Sequence, residues 1–150
     1  MTERVQIATS ADIADWLALR AALHGASDDH HGDVLRILAE PARGAGFIAR
    51  GAGGAALGFA EVALRTDYVN GCETSPVGFL EAIYVVPAAR RLGVARALAR
   101  AVEAWTAAQG CTELGSDALF DNTDSHAMHG ALGFEETERV VFFRKVLRQS

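Results

Sequence analysis

Two rhythms of apolar and polar positions run through this chain, and the points where one gives way to the other outline its elements. "VQIA" (residues 5–8) alternates like a short strand, and Thr9 or Ser10 can cap a following helix that carries Ile13, Trp16, Leu17 and Leu23 on one face. "GASDDHHG" (residues 25–32) breaks the pattern as a polar loop, and "DVLRILAE" (33–40) resumes it as a short helix halted near Pro41. "GFIAR" (46–50) and "AALGFAEVALR" (55–65), separated by the glycine-rich "GAGG", predict an antiparallel hairpin. After a long loop, "TDYVNGCETSPV" (66–77), comes a strand, "GFLEAIYVV" (78–86), ended by Pro87. Residues 93–109 have the strongest helical periodicity and stop at Gly110. "TELGSDA" (112–118) then predicts a strand, "NTDSHAMHGAL" (122–132) a helix and "RVVFFRKVL" (139–147) a last strand. Hairpins mixed with one strand-helix-strand crossover mean an α+β, or mixed α/β, fold around one sheet.

Length changes this picture little: 150 residues, half of them hydrophobic, make one ordinary domain with a sizeable core. No stretch reaches the roughly 18 apolar residues of a membrane span, and the start "MTERVQIATSADIADW" lacks the features of a signal peptide. Cys72 and Cys111 have no CxxC spacing, which fits two free thiols in a reducing compartment, so the expected location is the cytoplasm. A net charge of −5 argues against nucleic-acid binding and suits a cationic ligand. Its distribution says more. Arginines gather at Arg90, Arg91, Arg96 and Arg100, and acids at Asp28-Asp29, between Asp117 and Asp124, and from Glu135 to Glu138.

"GAGFIA" (44–49) has the form of a dinucleotide-binding fingerprint, but a helix precedes it and a strand follows, the reverse of what that motif needs. The expectation there is a turn. "RRLGVA" (90–95) is different, because it joins a strand to a helix N-terminus. Unpaired N–H groups and the helix dipole favour an anion at that point, Gly93 lets the backbone approach, and the arginines add donor forks suited to a diphosphate.

With Arg91-x-Gly93-x-Ala95 after a strand, Asn122 downstream and "ALGF" (131–134) closing the next helix, the second half of the chain resembles the GNAT superfamily of acetyl-CoA-dependent N-acetyltransferases. The resemblance implies a mostly antiparallel, twisted sheet splayed at the acetyl-CoA site and flanked by about four helices. It also implies that the loop from Arg91 through Leu92, Gly93, Val94 and Ala95 to Arg96 binds the pyrophosphate, with Ala95 replacing the commoner final glycine. Ile83, Tyr84 and Val85 would pair with the pantetheine like an added strand, a backbone N–H near Val85 would face the thioester oxygen, and Asn122 would hold the arm from the other side. "DYVNGC", "SPVGFLEAIYVVP", "SDALFDNTDSH" and "ALGFEETERVVFFRK" are further similar to the chromosomal-type aminoglycoside 6'-N-acetyltransferases. By that resemblance Tyr68, Glu81, Asp117 and Glu138 line a pocket for a polycation, and His24-Gly25 stands where relatives commonly have Trp-Pro, which removes an aromatic face from the sugar.

The chemistry of these residues can be weighed separately. Glu81 sits mid-strand among apolar neighbours, where a carboxylate needs either a ligand or an ion-pair partner, and we assign it to amine binding and to base action through water. His129, four residues before Gly133, either protonates the departing thiolate or is an exposed helical histidine. His126 and His129 form H-x-x-H without a third ligand at a suggestive spacing, so no metal is expected. Asp117 could cap a helix, Tyr68 could simply pack its loop, and Cys111 reads as core. The expected activity is direct acetyl transfer from acetyl-CoA to an aminoglycoside 6'-amine, conferring resistance. The rivals are a polyamine or protein N-terminus as acceptor, or a non-catalytic coenzyme A-binding domain. A homodimer is expected from the resembled family and from the exposed edge that a terminal apolar strand would leave.

Overall fold

The computed structural model describes residues 4–148. Their elements are β1 (Arg4–Ile7), α1 (Ile13–His24), α2 (Asp29–Ala39), β2 (Gly44–Arg50), β3 (Ala56–Arg65), β4 (Val77–Val85), α3 (Val94–Ala108), β5 (Leu114–Ser116) and α4 (Thr123–Ala131). The sheet order is the chain order, β1-β2-β3-β4-β5. The first four strands are antiparallel neighbours, and β5 returns parallel to β4 after the α3 crossover. Strands and α1 to α3 belong to a compact unit that ends at Asp117, and α4 opens a second unit that begins at Ala118.

Period-2 alternation sorts the strand residues onto two faces. α3 packs on one of them, burying Val94, Leu98, Ala99 and Val102. The fit depends on missing side chains: a Cβ on Gly78 would lie 2.5 Å from the Thr106 hydroxyl, and one on Gly58 would lie 2.5 Å from the Tyr84 carbonyl and 3.3 Å from Leu98. α1 and α2 cover the opposite face, where Trp16, Leu19, Val34, Ile48, Phe59 and Ala82 form the core. Trp16 is wholly buried, a burial worth about 1.5–3 kcal/mol for a large apolar side chain.

A buried polar cluster fastens α1 and α2 to the sheet. Arg20 Nη1 donates to both oxygens of Glu61 at 2.9 and 2.8 Å, and Trp16 Nε1 donates to the same carboxylate at 2.8 Å. Arg20 Nη2 reaches Asp33 on α2 at 2.9 Å. Arg20 Nε donates to His30 Nδ1 at 3.1 Å, and His30 Nε2 lies 2.8 Å from the Gly25 carbonyl. Arginine only donates and a carbonyl only accepts, so His30 is the neutral tautomer with its proton on Nε2.

Several sequence expectations change. The polar loop is shorter, because "DHHG" already belongs to α2; Ser27 Oγ accepts from the Asp29 N–H, and buried His30 anchors the first turn. Leu23 is exposed, and Leu19 with Arg20 takes its place on the buried face of α1. "GAGFIA" is no turn but the buried start of β2, because Gly46 makes room for the Trp16 ring, 2.3 Å from where a Cβ would stand. β5 has only three residues. Residues 139–147 form no strand: among the described residues no strand pairs with them, and apolar composition alone does not make a ladder.

Candidate active site

The site grows out of one irregularity in β4. Glu61 pairs with Ala82 and Val62 with Leu80, so Glu81 is the extra residue of a β-bulge. A bulge turns its residue out of the regular alternation. Glu81 is thereby aimed into a cleft between α2 and the sheet, about 160 Å³ in volume and lined also by Arg36, Glu40 and Glu61. It has the ion-pair partner that its mid-strand position demanded: Arg65 Nη2 donates to its two oxygens at 2.9 and 3.1 Å. Arg65 in turn lies over the Phe79 ring, with Cζ 3.6 Å from the centroid.

The bulge also marks where β4 and β5 part. Their pairing runs from Gly78↔Leu114 to Leu80↔Ser116 and goes no further, so residues 82–85 of β4 pair on the β3 side alone. That edge, carrying Ile83, Tyr84 and Val85, leads into the loop before α3. Arg90 folds back on the strand end, donating through Nε to the Val85 carbonyl at 3.0 Å with its guanidinium 5.6 Å from the Tyr84 ring centroid. Arg91 takes φ +65° and Gly93 φ +86°, two left-handed residues that bring the loop into α3. A β-branched residue would be strained at Gly93. α3 has no side-chain cap and no acid in its first turn, so neither satisfies its leading N–H groups. Val94 is buried, whereas Arg91, Leu92 and Arg96 are exposed around that terminus and Ala95 is half-buried.

The other acceptor-site residues expected in this unit lie on three different segments. One residue beyond the β4–β5 register, Asp117 follows Ser116 as Glu81 follows Leu80, and it is exposed. Tyr68 is 75 % exposed on the 66–76 loop, whose neighbouring Val69 is buried with Val77 and Phe79. Glu113 fastens the loop by accepting from the Glu73 and Thr74 N–H groups and the Thr74 hydroxyl. That hydroxyl, then the two N–H groups, hold the Glu113 carboxyl below its ordinary value. His24 ends α1 with its ring centroid 6.0 Å from that of His30. Burial and then the Arg20 charge push His24 down, against an opposing pull from Glu61.

In the second unit, Asn122 is the N-cap of α4, its Oδ1 accepting from Ser125 N–H at 3.1 Å. His129 Nδ1 lies 2.7 Å from the Ser125 carbonyl and so carries a proton, and its ring meets Phe134 edge-on at 5.2 Å. Glu138 is exposed. His126 is turned to the Leu119 carbonyl, and no cluster of three metal-ligating side chains occurs among the described residues. Both cysteines are free, with Cys111 buried.

A β4 edge left open beside a parallel β5, running onto an uncapped helix terminus through a glycine, is the arrangement that the sequence resemblance required. Comparison decides the matter: residues 12–134 match the acetyltransferase (GNAT) family. The chain belongs to the GNAT family. Among curated GNAT relatives, the aminoglycoside N(6')-acetyltransferase type 1 of Serratia marcescens is 57% identical over 134 residues, 88% of this chain and 91% of that protein. Its counterpart from Stenotrophomonas maltophilia is 52% identical over 146 residues, 97% and 95% of the two chains. A solved structure of AAC(6')-Iy with the bisubstrate analogue CoA-S-monomethyl-acetylneamine superposes with a TM-score of 0.92 at 44% identity, covering 98% of this chain and 100% of that one.

Sequence reasoning missed three residues that shape this GNAT site. Arg65 holds Glu81, and Arg20 with Glu61 sets α1 and α2 against the cleft. The signal was present for the latter pair: a carboxylate in "GFAEVAL" and an arginine in "LALRAAL" are each single charges in apolar runs, and burial forces such charges to find each other.

Proposed function

We propose that this protein, acting as one catalytic domain over residues 1–150, transfers the acetyl group of acetyl-CoA directly to the 6'-amino group of an aminoglycoside. The observation that carries the reading is the open β4 edge leading onto the uncapped N-terminus of α3. An extended amide chain can add to such an edge, and a diphosphate suits the helix terminus with Arg91 and Arg96 beside it. In the reaction the amine nitrogen bonds to the thioester carbon, the C–S bond breaks, and the proton lost by the amine balances the one gained by the thiolate.

Glu81, on its bulge at the end of the paired segment, is the proposed amine-binding carboxylate, with Asp117, Tyr68 and His24 as further acceptor contacts. Exposed carboxylates attract a polycation and give charge-assisted hydrogen bonds to its ammonium groups. Asn122, His129 and Glu138 keep the roles that the resemblance implies, with the His129 ring oriented by its Nδ1–H bond to the Ser125 carbonyl. The names of the relatives support the acceptor class, and the AAC(6')-Iy analogue supports both ligands for that protein.

A cytoplasmic homodimer without a metal completes the reading. Phe142 and Phe143 are 86% and 91% exposed, an apolar run that a second copy would cover. Sedimentation should give a dimer at micromolar concentration, and a monomer there refutes it. The activity is tested by thiol release from acetyl-CoA with a panel of aminoglycosides, polyamines and peptides. Turnover with aminoglycosides carrying a 6'-amine, and not with those lacking it, is the expected result; preference for a polyamine or peptide overturns the acceptor assignment.

A further inference from the structure

Glu81 does not face the cleft as a bare carboxylate. Its partner Arg65 is held from two directions, by the carboxylate and by the face of Phe79, itself buried to 4% exposure. The two attachments differ in how readily they exchange. Both hydrogen bonds to Glu81 come from one nitrogen, Nη2, whereas a fork-to-fork pair would use two. The two side chains are 42% and 37% exposed, so water screens the pair and replaces it at little cost. The other carboxylate paired at the cleft is less replaceable, because Glu61 is buried against Arg20 and Trp16.

We propose that Arg65 is the resident counter-ion of Glu81 and a specificity-determining residue for the transfer reaction. The substrate ammonium exchanges with the guanidinium, which stays over Phe79 and opposes every further positive charge that the substrate brings close to Glu81. Arg65 thus sets how much positive charge the acceptor can carry at this point. The inference rests on the reading that Glu81 receives a substrate amine.

The test compares Arg65→Met and Arg65→Gln, both neutral, with Arg65→Lys, in steady-state assays with neamine, a tetra-amine, at low and high salt. Both neutral variants should lower the KM for neamine roughly two- to fivefold at low salt, the range set by removing a screened charge pair, and should steepen its salt dependence. The KM for acetyl-CoA should not move, and Arg65→Lys should stay near the wild type because the charge remains. An unchanged or raised KM in the neutral variants overturns the proposal, as does Arg65→Lys behaving like them. Failure of both neutral variants to fold assigns Arg65 to the scaffold and overturns it too. Glu81→Gln separates the two readings: it should raise the KM for neamine roughly ten- to a hundredfold and cancel the effect of Arg65→Met in the double variant. If Glu81→Gln raises KM while the Arg65 variants do not lower it, only the role of Arg65 falls. If Glu81→Gln leaves KM unchanged, the amine-binding assignment falls and takes the Arg65 inference with it.

Discussion

Replacing Arg20 by methionine keeps most of the side chain's length and removes the cation that Glu61 touches among the described residues. Glu61 is 6% exposed and Arg20 8%, so water compensates the lost partner only in small part. Four hydrogen bonds vanish: two to Glu61 and one each to Asp33 and His30. Asp33 is still bonded by Arg36, so the uncompensated charge is that of Glu61. Breaking a buried pair from one side costs about 3–5 kcal/mol. With a urea slope of about 2 kcal/mol per molar, the unfolding midpoint should fall by about 2 M. The decisive measurement is the double variant Arg20→Met with Glu61→Gln. It removes both charges while leaving Trp16 Nε1 an oxygen to bond. If the cost of Arg20→Met is mainly a stranded carboxylate, the double variant is at least as stable as that single variant. Urea unfolding followed by tryptophan fluorescence and circular dichroism measures Arg20→Met, Glu61→Gln and the double variant against the wild type. Costs that add to within about 0.5 kcal/mol would refute the reasoning and make the cluster a set of independent contacts.

Gly93→Val should weaken coenzyme A binding by calorimetry, since φ +86° admits a β-branched residue only with strain that disturbs the loop leading into α3; unchanged affinity removes the diphosphate loop from the reading. The same strain should cost about 1–3 kcal/mol of stability, measurable in the same titration series as a lower unfolding midpoint. Asp12→Asn tests linkage. Burial raises the Asp12 carboxyl, but the Thr9 N–H and the Arg50 guanidinium outweigh it and hold the group below its ordinary 3.8. A depressed folded value means stability present above pH 3.8 and lost as pH falls through the folded value, so the variant should show a flatter acid limb of stability below about pH 4. An acid limb identical to the wild type would show that Arg50 and Thr9 contribute nothing there.

The elements themselves were legible in the sequence because their signals are local. Thr9 with Asp12 closes a capping box, Gly110 ends α3 with φ +85°, and "GAGG" separates the strands of the hairpin, each decided by a few neighbouring residues. "RRLGVA" could likewise be placed between a strand and a helix without knowing anything distant. What sequence could not decide is which charges meet. Arg20 and Glu61 are 41 residues apart, and Arg65 and Glu81 are 16 apart across a hairpin whose bulge no periodicity announces. Glu81 therefore read as a carboxylate in need of a partner, and only the register of β3 on β4 supplied Arg65. "GAGFIA" read as a turn because glycines loosen local structure, yet Gly46 is fixed in β2 by the Trp16 ring lying where its side chain would be. Residues 139–147 show the converse: apolar, β-branched composition favours a strand, but a strand exists only where another backbone offers hydrogen bonds. Local preference fixes a segment's conformation when the stabilising contacts lie within a turn or two of chain; ion pairs, bulges and strand partners depend on residues brought together by the fold, and so the tertiary structure alone decided them.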